Sequence, residues 1–235
     1  MPSFRSPARI ALAAILIGAP ASAPASDDGR WTRVFPVEKG EWSSTGRNPF
    51  FVLEPGYRLV LEDGGERLTI TVLDETKVVA GVETRVVEER ETEDGSLVEV
   101  SRNYFAISTR TNGVFYFGEE VEIYRDGKVA GHEGAWLAGV DGAGYGLMMP
   151  GQPLLGARYY QEVAPRVAMD RAEIVAIDAT MKTLAGEFKG CLRVEETSPL
   201  EPSHAESKYY APGIGLVKDG SLRLVRHGAA DAPGR

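Results

Sequence analysis

The sequence predicts a mostly β protein: an antiparallel meander closing into a barrel or half-barrel, with one or two short helices. Three observations predict it. Apolar residues recur with a period of two, as in Leu68-Thr69-Ile70-Thr71-Val72, Val121-Glu122-Ile123 and Leu192-Arg193-Val194. That is the pattern of a strand with one face buried. Turn pairs punctuate the strands: Asp63-Gly64-Gly65, Asp94-Gly95, Asn112-Gly113, Asp126-Gly127 and Asp219-Gly220. These residues tolerate the positive φ of tight hairpins, and short connections force antiparallel pairing. Third, aromatic residues come in adjacent groups: Phe50-Phe51, Tyr104-Phe105, Phe115-Tyr116-Phe117, Tyr159-Tyr160 and Tyr209-Tyr210. Neighbours on a strand point to opposite faces, so each group offers apolar surface to both. One face is the core. The other is covered by the lead-in, a glycine-rich loop, a second subunit or a ligand, unless the tyrosines sit at a rim with wet hydroxyls.

The elements follow in order. Residues 1–25 read as a signal peptide: basic Arg5 and Arg9, an apolar run Ile10 to Ile17, then small residues with cleavage after Ala25. The run is too short for a span, which needs about 20 apolar residues. The expected location is periplasmic or secreted. Residues 26–56 read as an irregular lead-in, broken at Asn48-Pro49 and Glu54-Pro55-Gly56. Residues 57–227 read as a single β domain. Within it, 165–173 and 184–191 are expected to hold the short helical turns, the second weakened by Gly186 and Gly190. The Ala- and Gly-rich stretch 228–235 reads as a disordered tail. No second apolar run has spanning length, so no membrane span is expected.

Composition narrows the chemistry. The chain of 235 residues is 43% hydrophobic, enough to build a core without cross-links. Cys191 is the single cysteine, so no internal disulfide forms, and its apolar neighbours mark a buried structural thiol. With no cysteine after the leader, a lipid-modified N-terminus is not expected. A net charge of −8, more negative once Arg5 and Arg9 leave, repels phosphate backbones and argues against nucleic acid.

Several stretches resemble a widespread group of exported bacterial β-proteins. Gly186-Glu187-Phe188-Lys189-Gly190-Cys191-Leu192-Arg193-Val194 resembles their Gly-x-Phe-x-x-Cys-Leu-x-Val segment. Tyr210-Ala211-Pro212-Gly213-Ile214-Gly215-Leu216-Val217 resembles the Tyr-Ala-Pro-Gly-x-Gly-Leu-Val segment that follows it. Asn48 to Gly56 is similar to their opening segment, and Tyr116-Phe117-Gly118-Glu119 and Gly134 to Pro150 extend the likeness. More distantly, the chain is similar to the lipoprotein-carrier half-barrel. The resemblance implies fold and export and names no chemistry.

The residues themselves give little sign of catalysis. There is no Gly-x-Ser-x-Gly elbow, and His132, His204 and His227 lack metal-ligand spacing, so neither a metal nor a cofactor is expected. His132-Glu133 and His204-Ala205-Glu206 put an imidazole near a carboxylate, the basis of a hydrolase or lyase alternative. The acidic run Glu88-Glu89-Glu91-Glu93 reads as a solvated edge, and Glu119, Glu120 and Glu122 as strand charge with a possible cation role. The glycine-rich segment 131–156, with Trp136, Met148 and Met149, reads as a lid over one mouth of the sheet. The expected function is a non-enzymatic binding or carrier protein for an apolar or amphipathic small molecule. Trp136, Tyr104, Tyr209, His132, Glu133 and His204 are the candidate ligand contacts. A cell-envelope structural or interaction protein, with a homodimer covering the second face, is the other alternative.

Overall fold

The computed structural model of the chain describes residues 30–37 and 40–229. The expected signal peptide lies outside the described residues. So does the expected tail, except Gly228 and Ala229, which belong to the last strand.

The lead-in supplies three short strands: β1 (Trp42–Ser43), β2 (Gly46–Asn48) and β3 (Phe51–Leu53). A ribbon of hairpins follows: β4 (Tyr57–Asp63), β5 (Glu66–Val79), β6 (Val82–Glu93), β7 (Ser96–Ser108) and β8 (Val114–Arg125). Five short pieces come next: β9 (Lys128–Gly131), β10 (Trp136–Leu137), β11 (Gly144–Met149), β12 (Arg158–Tyr160) and β13 (Glu162–Val163). A second ribbon ends the chain: β14 (Arg171–Thr183), β15 (Gly186–Ser198), β16 (Glu201–Ala211), β17 (Gly215–Asp219) and β18 (Leu222–Ala229).

All strands but β2 and β3, which pair with each other alone, belong to one antiparallel sheet with the path β12-β14-β15-β16-β17-β18-β4-β5-β6-β7-β8-β11-β13; β1 adds to β7, and β9 and β10 add to β8. Its two outermost strands are successive pieces of one segment. Residues 158–160 pair with β14, and residues 162–163 pair with β11. The sheet therefore nearly closes into a barrel, which leaves little open edge. This agrees with the barrel-like architecture that the half-barrel resemblance implies.

The turn pairs sit where the sequence puts them. Asp63↔Glu66, Glu93↔Ser96, Arg125↔Lys128 and Asp219↔Leu222 close four hairpins, and Asn112-Gly113 lies in the β7–β8 connection. Asp94 and Gly95 both take positive φ, 48° and 80°. Three hairpins escape the sequence pattern: Leu184-Ala185 turns β14 into β15, Pro199-Leu200 turns β15 into β16, and Ala80-Gly81 turns β5 into β6 with Ala80 at φ 50° and Gly81 at φ 79°. Alanine in that conformation is uncommon, so no signal marks it.

The expected helices are absent among the described residues. Residues 164–168 make a tight turn closed by Ala164 and Ala168, and residues 171–183 run on as a strand. Residues 184–191 are a hairpin turn and the start of β15. Gly186 at φ 142° and Gly190 at φ 65° are incompatible with a helix interior. The 131–156 segment is also not a loop laid over a mouth. Here β9, β10 and β11 pair in turn along β8 and form wall.

One end of the barrel is plugged by the β2–β3 hairpin. The Asn48 side-chain amide donates to the carbonyls of Asn112 (2.8 Å) and Pro150 (3.0 Å), and the Gly213 amide donates to Pro49 (2.7 Å). Val52 and Leu53 are buried, and the Phe51 ring lies 5.1 Å from that of Phe105. At the other end, the β15–β16 hairpin tip and residues 167–170 frame an opening. On the second face of the sheet, the outward rings of β8 are covered within the chain. Trp42 and Phe35 pack edge-on against Phe115, and Trp42 also packs on Phe117 and Tyr145.

Candidate functional site

The functional candidate is the barrel interior, and each strand reaches it by alternation. On β6 the inward row is Val87, Glu89, Glu91; on β7 it is Phe105, Asn103, Ser101, Glu99. On β15 it is Leu192, Val194, Glu196, and on β16 Tyr210, Lys208, Glu206. Every row starts apolar near the plug and turns polar toward the opening. On β8 an extra residue at Gly118 (φ 126°) lets both Tyr116 and Glu119 face inward, opposite Phe105 and Asn103. A Cβ at Gly118 would lie 2.3 Å from the Trp136 carbonyl oxygen, so the bulge needs glycine.

Two chambers result. The inner one, about 80 Å³, is lined by apolar groups that include Phe51, Ile70, Val72, Tyr210 and Leu216. The outer one, about 140 Å³, opens at the mouth and is lined by Glu89, Glu119, Glu162, Asp170, Glu196 and Glu206. The chambers share Glu89, Phe105, Met148 and Lys208, and Asp219 lines the inner one beside Lys208.

Lys208 is the only lysine or arginine in either lining among the described residues. Its ammonium lies 2.8 Å from Glu196 and 3.4 Å from Asp219. Burial acts to lower its pKa, but Asp219 and Glu196 outweigh burial and hold it well above the lysine range. It is a fixed cation. Gln161 donates to the other Glu196 oxygen at 2.8 Å. Tyr116 donates to Asn103, whose amide donates to Ser101 and to the Val87 carbonyl.

The remaining carboxyls are poorly neutralised. Burial raises Glu89 to about 7, against the attraction of Lys208. Burial, then the Glu99 carboxylate, raises Glu91 to about 9. Glu119 is raised to about 8, burial outweighing its hydrogen bond with Tyr116. Burial pushes Glu162 well above the carboxylate range and also raises Asp170 and Asp219. Like charges face each other across strands at Glu91↔Glu99 and Glu196↔Glu206, a destabilising arrangement. Both oxygens of Asp219 are buried and accept no hydrogen bond.

The candidates from sequence lie elsewhere, with one exception. His204 is exposed and lines the outer chamber's rim. Trp136 is buried, 5.3 Å from the Tyr116 ring, as wall rather than lining. Tyr104 and Tyr209 are the outward members of their pairs. Lys77 lies over the Tyr104 ring, Lys218 lies over Tyr209, and the neighbours Phe105 and Tyr210 line the interior. His132 is exposed and its Nδ1 lies 2.6 Å from the Val121 carbonyl, while Glu133 is exposed and folds over Gly131.

The acidic runs divide in the same way. Glu88 stays outside with Arg90, but Glu89 and Glu91 turn inward, so this run is not a solvated edge. Glu119 faces in, whereas Glu120 pairs with Lys77 and Glu122 accepts from Tyr124. The three therefore do not converge on a cation. Among the described residues no cluster of His, Cys, Asp or Glu is arranged to hold a metal ion. Cys191 is buried, and burial raises its thiol pKa, as a structural role requires.

Fold and site together define a class: a nearly closed β-barrel with an amphipathic interior. No family model and no curated protein matches the chain. Among solved structures, one from Parabacteroides distasonis ATCC 8503, provisionally described as a lipoprotein, is similar at 13% identity. The match covers 78% of this chain and 100% of that one at a TM-score of 0.38, a likeness too slight to carry fold or function. No helix among the described residues is long and apolar enough to cross a membrane.

Proposed function

We propose that this chain is an exported, non-enzymatic binding or carrier protein that holds a small amphipathic molecule inside the barrel. The carrying observation is the pair of adjacent chambers that share Glu89, Phe105, Met148 and Lys208, one lined mainly by apolar side chains and one rich in carboxyls. An apolar body buried in the first gains hydrophobic energy while a polar head keeps its partners in the second. Export is supported by the order of residues 1–25, and a protein cut after Ala25 starts at Ser26. The hydrolase or lyase alternative needs an imidazole set against a carboxylate beside the cavity. His132 instead engages the Val121 carbonyl, and His204 stands in solvent at the rim. The envelope alternative needs uncovered aromatic rings, and Phe35 and Trp42 cover those of β8.

The test is native mass spectrometry of protein exported with its own leader. An added small-molecule mass, lost in an Ile70→Phe variant that fills the inner chamber, supports the reading. Protein carrying nothing, and taking up no added amphiphile, overturns it.

A further inference from the structure

We infer that the ligand is a small organic cation, an alkyl- or arylammonium whose body lies in the inner chamber and whose head lies among the carboxylates of the outer one. This rests on the reading of the interior as a ligand site and adds the ligand's charge and size.

Charge comes first. Lys208 engages Glu196 and Asp219, and Glu89, Glu119, Glu162 and Asp170 have no ion-pair partner among the described residues. A buried carboxylate without a counter-charge is costly unless something neutralises it. A cation from outside does so directly.

The second observation is independent of the cluster. Asp219 is 1% exposed and lines the inner chamber, and its one ion pair is the long contact of 3.4 Å to Lys208, which also serves Glu196. Its buried oxygens have no close hydrogen-bond donor, so a carboxylate shared in this way at a cavity wall has capacity for a second donor that enters it.

Third, the interior already accommodates one alkylammonium. The Lys208 side chain is 12% exposed, with its head between two carboxylates. A ligand of the same chemistry needs no new type of contact.

Size and geometry exclude other cations. The carboxylates are spread over β6, β8, β13, β15 and β16 and do not converge on a point, which disfavours a bare metal ion. The inner chamber, about 80 Å³, is smaller than a cavity of about 150 Å³ that accepts benzene, so the body extends from it into the outer chamber of about 140 Å³. A short chain or a single ring fits, and a two-chain lipid does not. Val167 and Leu200, 38% and 45% exposed, give the mouth an apolar rim past which such a body slides.

The test compares ligands with one body and three heads: octylammonium, octanol and octanoate, titrated calorimetrically into the full exported chain. At about pH 8 octylammonium is expected to bind at least about tenfold tighter than octanol, the value of one charge-assisted hydrogen bond. Octanoate is expected to bind weakest. Glu119→Gln should erase most of the preference of octylammonium over octanol. Where that variant fails to fold, Glu206→Gln at the wider mouth reads the same effect. Glu120→Gln, on the outer face, should leave the preference unchanged. Equal binding of octanol and octylammonium, or preference for octanoate, overturns the cation inference while the binding-protein reading stands. No binding of any of the three overturns both.

Discussion

The inner and outer halves of this barrel are built from the same strands and differ in what they demand of the chain. Near the plug, the inward rows are Val87, Phe105, Val194 and Tyr210, and each residue placed there adds burial energy. A few positions further along the same rows stand Glu91, Glu99, Glu196 and Glu206. There the residues oppose one another and resist desolvation. The first half is what holds the barrel together, and the second half is a standing cost that folding alone does not explain. Sites that cost stability without a structural return are where function is expected.

That contrast has measurable consequences. The largest belongs to the apolar half. Phe105 is 4% exposed and stacks on Tyr116 with ring centroids 4.6 Å apart. Phe105→Ala should lower the unfolding free energy by about 3–5 kcal/mol in urea. A loss under about 1 kcal/mol would place the stabilising core elsewhere.

Next comes the junction. Lys208→Met leaves Glu196 and Asp219 without their cation, and should cost about 3 kcal/mol near pH 8. The cost should shrink as pH falls, because burial raises the Asp219 pKa and a protonated Asp219 no longer needs the cation. A cost independent of pH would mean that packing of the lysine stem, not its charge, matters there.

The third concerns the acidic half as a whole. Glu89, Glu91 and Glu119 have pKa values of about 7, 9 and 8 in the folded chain, above the ordinary 4.5. The folded state thus holds protons that the unfolded chain has released. The stabilisation is complete below about 4.5 and is lost as pH rises through about 7 to 9. The melting temperature of the empty protein should fall steadily from pH 5 to pH 9. A flat or rising profile would mean that the outer chamber is more hydrated or better paired than its geometry indicates.

The smallest effect has the opposite sign from most substitutions. Glu91→Gln removes one of two carboxyls opposed across β6 and β7, and should stabilise the empty protein by up to about 1 kcal/mol near pH 8. Cys191→Ala, in the apolar half, should cost about 1 kcal/mol and leave binding untouched. Stabilisation by the first and loss by the second would sharpen the contrast between the halves. Destabilisation by Glu91→Gln would make that carboxyl structural.

The chain's own pattern went far. Period-two alternation and the Asp-Gly and Asn-Gly pairs determined an antiparallel β meander, because strand geometry and positive-φ turns are local properties. The aromatic pairs raised the expectation of a cover on both faces, against tyrosines standing wet at a rim, and Trp42, Phe35 and Lys77 pack on the outward rings Phe115 and Tyr104. Local pattern did not say which member of a pair faces inward, so Tyr104 and Tyr209 were natural choices where Phe105 and Tyr210 line the cavity. Nor did it show that Glu89 and Glu91 continue the row of Val87, since a glutamate in phase with an apolar stripe reads as a strand end reaching water. That became an interior site only when the ends of the sheet came together at residues 158–163. Closure is a long-range event: it turns one face of a ribbon into the inside of a barrel, and only then do carboxylates from β6, β8, β15 and β16 share one desolvated space, where burial first and neighbouring carboxylates second raise the proton affinity of Glu89, Glu119 and Glu206.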